Sequence, residues 1–471
     1  MLVLVRNDRL VRLNAQDAVI WYWRFLRDPL QALIKSRAQF GPFFQLPHPR
    51  LPTRPRRAFM VGIGSAFNSE VLANPAAWRP VSIAPGGPKN SAARRLGMGI
   101  IRMTGERHAH YRRLLLPPLQ RRSIDANGGK LVSLARETIG NWQVGQPIDL
   151  WANVRRLMRT FAIGVLFGDD RENGYPISDM INEALEYNWS WRIAACPIQI
   201  PGTPYDRMMR GAEELERRII AWASRKRGNL DERDLLSIIV NKPDENGCPA
   251  SNQSIVGHTP TLFGAAYETC QNALIWTLIL LDQHPEIARD VYYEIKQNYT
   301  GGEADYEQVM QLPLLDAVTK ESMRILPPVP QQFRVAQHET TLNGIDVDKG
   351  TRVLLSPFLT NREPDLYPDP DQFKPQRWAV ISPTPYENPV FSAGPRGCPG
   401  YAFGTAMLKV GIATIMSRYR IVFPPGTQID YKVRVALSPK NKVPAVLARQ
   451  DGAFTASAIE GAIRTIVRFP D

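Results

Sequence analysis

The 471-residue sequence predicts a mainly α-helical protein, and three observations carry that expectation. Apolar residues recur at three- and four-residue spacing over residues 130–142, 150–167, 177–189 and 205–225, the period of one buried helix face. Residues 254–283 form the longest such run, and 273–281 is apolar almost all round, as in a helix at the centre of a large protein. Strand-like alternation is confined to short pieces. With 44% hydrophobic and 22% charged residues and no low-complexity tract, the composition excludes disorder. A chain of this length can bury a large core without disulfide staples. No internal repeat and no convincing linker divides it, so a single domain over 1–471 is expected.

The elements follow in order. Residues 57–61 are a short strand candidate. The segment opening at His108 reads as a short helix that ends before Pro117, and the four periodic helices follow it. Polar stretches at 241–253 and 299–305 read as surface loops around the long helix. His284-Pro285-Glu286 stops that helix and opens another, running to about Gln297. Residues 333–355 alternate well enough for two or three short strands, with Asn343-Gly344 as a hairpin turn. Ten prolines between 357 and 399 exclude a long helix there, and helix resumes from about Tyr401 to Arg418.

Charge and cysteine usage narrow the function classes. A net charge of +13 favours an acidic partner or an anionic surface. Nucleic-acid binding does not follow, because no binding module or aromatic-interleaved basic patch accompanies the charge. Cys196, Cys248, Cys270 and Cys398 include no CxxC pair and cannot form a disulfide framework or a structural zinc site. The apolar run at 18–23 is far shorter than the ~20 residues of a membrane span and lacks a signal-peptide cleavage site. A cytoplasmic protein without a transmembrane anchor is expected.

The most informative segment is Phe391-Ser-Ala-Gly394-Pro-Arg396-Gly-Cys398-Pro-Gly400, followed directly by a helix. Its glycines allow tight turns, and its prolines stiffen the loop. Cys398 stands before a helix N-terminus, where free N–H groups and the macrodipole favour a thiolate. Arg396, two residues earlier, is placed to meet an anion. The plain alternative, a buried cysteine in a glycine-rich turn, leaves so many specified positions unexplained.

This segment resembles the haem-binding loop of the cytochrome P-450 family, Phe-x-x-Gly-x-Arg-x-Cys-x-Gly, at every specified position. The resemblance implies haem b with Cys398 as its proximal thiolate ligand, a ligand that pushes electron density onto iron. It also implies the family fold: a large helical domain with small β-sheets, haem lying between the long distal helix and the cysteine-loop helix.

Further motifs extend the likeness over about residues 28–440. Glu321 and Arg324 share a helix face at i and i+3, a pair that taken alone is worth ~0–1 kcal/mol at a surface. They lie 398 − 321 = 77 residues before Cys398 and resemble the family's Glu-x-x-Arg helix. Phe373-Lys-Pro375-Gln-Arg377-Trp378 resembles the element whose arginine joins that pair, so Glu321, Arg324 and Arg377 read as structural. In the long helix, Ala265-Ala-Tyr-Glu268-Thr269 sets an acid beside a hydroxyl, which costs desolvation unless both are used; a threonine bonded back to the preceding turn is the plain alternative. The run resembles the oxygen-activation motif, in which Glu268 and Thr269 relay protons. It departs in carrying Ala266 where glycine is usual, with bulky Tyr267 beside it.

His108 and Arg112, at i and i+4, share a face and can reach carboxylates, although a solvated basic helix reads equally well. Their spacing resembles that of the family's haem-propionate helix, and Arg334 and Arg396 match two further propionate-binding positions. Met98, Ile101, Leu262, Phe263, Ala266, Val329 and Phe333 are candidate pocket walls, each equally well explained as core; Trp189 and Trp191 are candidates for its mouth.

The resemblance implies a haem-thiolate monooxygenase inserting one oxygen atom of dioxygen into a lipophilic small molecule. The alternatives are a peroxide-driven or rearranging haem-thiolate enzyme, or a non-catalytic haem-binding sensor. No flavin domain or dinucleotide fingerprint is present, so an acidic ferredoxin- or flavodoxin-like donor is expected. Residues 94–125 hold eight arginines against two acids, and Arg113, Arg121, Arg122 and Lys409 are the candidates for a docking patch, a generally basic surface with no docking role reading equally well.

Overall fold

The computed structural model describes residues 10–47, 58–81, 87–187, 193, 196–229, 234–298 and 305–470. The helices that build the molecule are α1 (Ala15–Arg27), α2 (Pro29–Phe40), α3 (Gly105–Leu115), α4 (Gly128–Gly140), α5 (Leu150–Phe161), α6 (Arg171–Tyr187), α7 (Pro204–Lys226), α8 (Asn252–Asp282), α9 (Pro285–Gln297), α10 (Pro313–Ile325) and α11 (Tyr401–Arg418).

Local chemistry sets their ends. Asn14 caps α1 by accepting from Asp17 N at 2.9 Å, and Asp28 caps α2 while Pro29 takes its first position. Ser251 caps α8, whose 31 residues run through the core despite Pro260. α1 and α2 are found where the sequence reading identified no helix. α6 begins at Arg171, six residues earlier than the periodicity suggests, because Asp170 Oδ1 accepts from Asn173 N and supplies a start signal ahead of Pro176. α5 runs on as a π-helical turn over Ala162–Leu166.

The main sheet has six short strands in the order Val11–Arg12, Phe43–Leu46, Phe59–Gly62, Arg352–Leu355, Gln332–Ala336 and Trp78–Pro80. Phe59–Gly62 pairs in parallel with Arg352–Leu355, which pairs antiparallel with Gln332–Ala336, setting Arg334 opposite Val353. The region expected to hold two or three strands holds four; Asn343 and Gly344, at φ 51° and 72°, turn Thr340–Leu342 into Ile345–Val347.

One apolar cluster joins side chains from Leu13 to Phe469, with α8 through its middle. Trp276 of α8 is fully buried there and donates Nε1–H to the Leu437 carbonyl at 2.9 Å. A second cluster, including Phe43, Trp78 and Leu342, packs at the main sheet. Trp189, Trp191 and Arg57 lie outside the described residues. Among the described residues no helix is long and apolar enough to cross a membrane.

Candidate active site

The cysteine loop is shaped by its backbone. Gly394 has φ +65°, and a Cβ there would sit 2.4 Å from the Leu72 carbonyl oxygen, so only glycine fits. Gly397 N donates to Gly394 O at 2.9 Å and Cys398 N donates to Phe391 O at 2.8 Å, closing the loop ahead of α11. Cys398 remains exposed at the end of this turn, and Ala265 is exposed in the middle of α8. Exposure in the middle of a central helix marks an opening between α8 and the loop. Cys270, one residue beyond Thr269, packs where a Cβ on Gly404 of α11 would lie 3.4 Å from its sulfur.

Although Cys398 faces the opening, the protein packed around it desolvates the thiol and pushes it up, and the Gly400 N–H and the Arg112 charge partly offset this. A metal cation bound at the sulfur would favour the thiolate there.

Around this loop three arginine side chains and one histidine crowd together. Arg112 Nη2 donates to Gly397 O at 2.8 Å, and Arg396 donates to Met103 O while its Nε is buried without a partner. Burial lowers the pKa of Arg396, and Arg112 lowers it further. Arg334 is buried and drops to about 10 through desolvation and the Arg396 charge, its guanidinium donating to Phe333 O and Gln332 Oε1. His108 falls to about 4 from burial, Arg396 and Arg112, so its imidazole is neutral at pH 7. Charges brought together at this cost fit an anion, and the two propionates of haem are such an anion. Thiol, cation cluster and opening therefore suit the group implied by the loop.

Across from the loop, Thr269 Oγ1 donates back to Ala265 O at 3.2 Å. Glu268 is largely buried, and desolvation raises its carboxyl to about 7 against the opposing pull of Arg155 and Lys432. Tyr267 points away from the loop: its hydroxyl donates to Asn182 Oδ1 at 2.7 Å and its ring meets Phe263 edge-on. Its bulk does not fill the space beside Ala266.

Glu321 and Arg324 are completely buried, and Arg377 nearly so. The Glu321 carboxylate accepts from Arg324 Nε (2.9 Å) and Nη2 (2.8 Å), Arg377 Nε (3.0 Å), Trp378 Nε1 (2.9 Å) and Lys374 N (3.0 Å). The network ties α10 to the proline-rich segment that leads into the cysteine loop.

The geometry corrects one candidate assignment and decides another that the sequence leaves open. Lys409 is no part of an exposed patch: it is buried on α11 and donates to Met310 O at 2.7 Å, with Asp316 at 3.5 Å. Phe263 is no pocket wall but core, fully buried and packed on Phe167 at 4.7 Å. Arg121 is exposed but 3.5 Å from Asp125, whereas Arg113 and Arg122 are exposed on α3 and just beyond it. Met98, Ala266, Val329 and Phe333 are half-buried, Leu262 is buried and Ile101 is exposed. The backbone of Met98 and Gly99 is pressed onto α8, where a Cβ on Gly257 would lie 2.9 Å from the Met98 carbonyl carbon. Sequence reasoning missed Arg155 and Lys432 as neighbours of Glu268. They come from distant segments, and no local pattern pairs them with the acid.

A family model described as Cytochrome P450 matches residues 80–443. The chain is 28% identical over 360 residues to cyclooctat-9-en-7-ol 5-monooxygenase of Streptomyces melanosporofaciens, covering 73% of this chain and 77% of that one. It is 31% identical over 247 residues to the human mitochondrial 25-hydroxyvitamin D-1 alpha hydroxylase, an alignment spanning 51% of this chain and 48% of that relative. Among solved structures, a cyanobacterial cytochrome P450 with retinoic acid bound superposes with a TM-score of 0.74 at 24% identity, covering 91% of this chain and 96% of that one. A cytochrome P450 haem domain superposes with a TM-score of 0.75 at 20% identity, covering 93% and 96%. Cysteine loop, cation cluster, acid–alcohol pair and matched family model agree: the chain belongs to the cytochrome P450 family, the haem-thiolate monooxygenases.

Proposed function

We propose that this chain, as one domain over residues 1–471, inserts one oxygen atom of dioxygen into a lipophilic small molecule in the cytoplasm, with electrons from a separate acidic donor. Cys398 holds haem as a thiolate, and His108, Arg112, Arg334 and Arg396 hold its propionates. Bound haem supplies the electron-transfer and dioxygen chemistry. The chain's own work lies around it. Burial raises Glu268 to about 7, so it can hold a proton near neutral pH on the same turn of α8 that carries the Thr269 hydroxyl. Met98, Leu262, Ala266, Val329 and Phe333 offer apolar walls that exclude water and take an apolar substrate. Relatives named for cyclooctat-9-en-7-ol and β-amyrin support the lipophilic class.

The observation that carries this reading is the placement of Glu268 and Thr269 on α8, beside the mid-helix opening at Ala265 and next to Cys270, which packs on the helix that follows the cysteine loop. Its test is Thr269→Ala. The variant should retain haem and the Soret shift caused by a bound substrate, while more reducing equivalents are lost to peroxide or water. Unchanged product per electron would show that protons arrive by another route and sink the assignment.

A further inference from the structure

Helix α1 turns an apolar stripe outward. One face is spent on the core: Ala18 and Trp21 are buried, and Trp21 stacks on Phe25 at 4.6 Å and meets Phe44 and Phe59. The opposite face carries Val19, Trp23 and Leu26, spaced i, i+4 and i+7, and these are 68%, 60% and 83% exposed. Single exposed apolar residues need no explanation, but three large ones on one helix stripe do. Arg12, Arg24 and Arg27 are exposed beside it, and the Arg27 guanidinium lies 5.5 Å from the Trp23 ring centre. The preceding residues, outside the described ones, read Met1-Leu-Val-Leu-Val5-Arg6-Asn-Asp-Arg9. Residues 1–27 thus hold five arginines against two aspartates, together with this apolar stripe.

We propose that α1 docks on a lipid surface bearing anionic headgroups, lying in its plane with Val19, Trp23 and Leu26 in the acyl boundary and the arginines at headgroup level. An amphipathic helix with tryptophan and leucine on one side and arginine beside them has the composition of an interfacial helix. At 13 residues α1 is too short to span a bilayer. A second copy of this chain is the poorer occupant, because a two-fold contact would set Arg24 and Arg27 against their own copies. This docking is independent of the proposed reaction, since none of the stripe residues belongs to the haem-binding or proton-delivering sets.

The test uses the full haem-loaded chain and sedimentation with two kinds of vesicle, one of phosphatidylcholine and one of phosphatidylcholine mixed equally with phosphatidylglycerol. The chain should bind the anionic vesicles and bind pure phosphatidylcholine weakly. Brominated lipid should quench a tryptophan signal that Trp23→Phe removes. Val19→Gln, Trp23→Gln and Leu26→Gln together should lower vesicle binding at least tenfold, with helix content and the haem spectrum unchanged. Arg24→Gln with Arg27→Gln should lower binding to anionic vesicles by roughly fivefold per arginine and leave binding to phosphatidylcholine unchanged. Equal binding by wild type and the triple variant, or no binding by the wild type, overturns the proposal. So does a wild-type dimer that ignores vesicles and that the triple variant turns into a monomer, which would assign the stripe to a second copy.

Discussion

Glu321→Gln is the most quantitative perturbation of the haem-side scaffold. One carboxylate with no exposed surface neutralises half of the charge of Arg324 and Arg377 and accepts five hydrogen bonds. Burial alone would raise the Glu321 acid, but the hydrogen bonds from Arg324 and the charges of Arg324 and Arg377 outweigh it and hold it below the usual range. Glutamine keeps the shape, removes the charge, and turns an amide N–H toward a guanidinium. Breaking a buried ion pair from one side costs about 3–5 kcal/mol, because the partner stays buried and uncompensated. Two guanidiniums share this carboxylate, so the upper half of that range is expected. That is a large share of a typical stability of about 5–15 kcal/mol. Urea unfolding followed by far-ultraviolet circular dichroism and by haem release should show a lower midpoint with an unchanged slope. The pH dependence provides a second check. A depressed acid contributes stability above its unfolded value, ~4.3, and loses it as pH falls through the folded value. Wild type should therefore lose this contribution on acidification, and Glu321→Gln should lack that part of the acid slope. A midpoint shift worth less than about 1 kcal/mol would refute the reasoning and reduce the network to the value of a surface pair.

Other predictions follow from the same geometry. Glu268 is raised by burial from 4.5 to about 7, so its stabilising effect is complete below the lower value and is lost as pH rises through the upper one. On the order of 3 kcal/mol should disappear over that window in wild type and not in Glu268→Gln, measured by urea unfolding across pH. Product per electron should likewise fall as pH rises through about 7 in wild type, and a flat profile would remove Glu268 from proton delivery. If an acidic donor docks at α3, Arg113→Glu with Arg122→Glu should slow reduction severalfold without altering substrate binding. Salt should slow it too, since screening sets in at about 8 Å near 0.15 M; a rate indifferent to both would place the donor elsewhere. Lys409→Met should leave that rate unchanged, because its amine is buried against Met310 and Asp316.

What the sequence reveals depends on whether the chemistry is local. The cysteine loop and the long helix are legible because glycine, proline and period-3.6 signals act within a few residues of one another. The partners of Glu321 are legible only in part: Arg324 sits one turn away, but Trp378 and the Lys374 amide arrive through the fold. Lys409 was misplaced because an α11 lysine looks solvated until α10 and the Met310 carbonyl are packed beside it. Phe263 stays open between wall and core in the sequence for a related reason: a helix that is apolar all round does not reveal which side meets the cavity and which meets Phe167 and Trp222. The outward stripe of α1 is hidden similarly, since Trp21 and Trp23 differ in nothing but their helix face.

The central claim is that Cys398 holds haem as a thiolate at this loop. The direct measurement is the carbon monoxide spectrum of the reduced protein, taken for wild type, Cys398→Ala, and Cys196→Ser, Cys248→Ser and Cys270→Ser separately. The account predicts the far-red-shifted Soret band of thiolate-bound haem in wild type and in the three serine variants, and its loss in Cys398→Ala. A histidine-type band in wild type, or a thiolate band that survives Cys398→Ala, would contradict it.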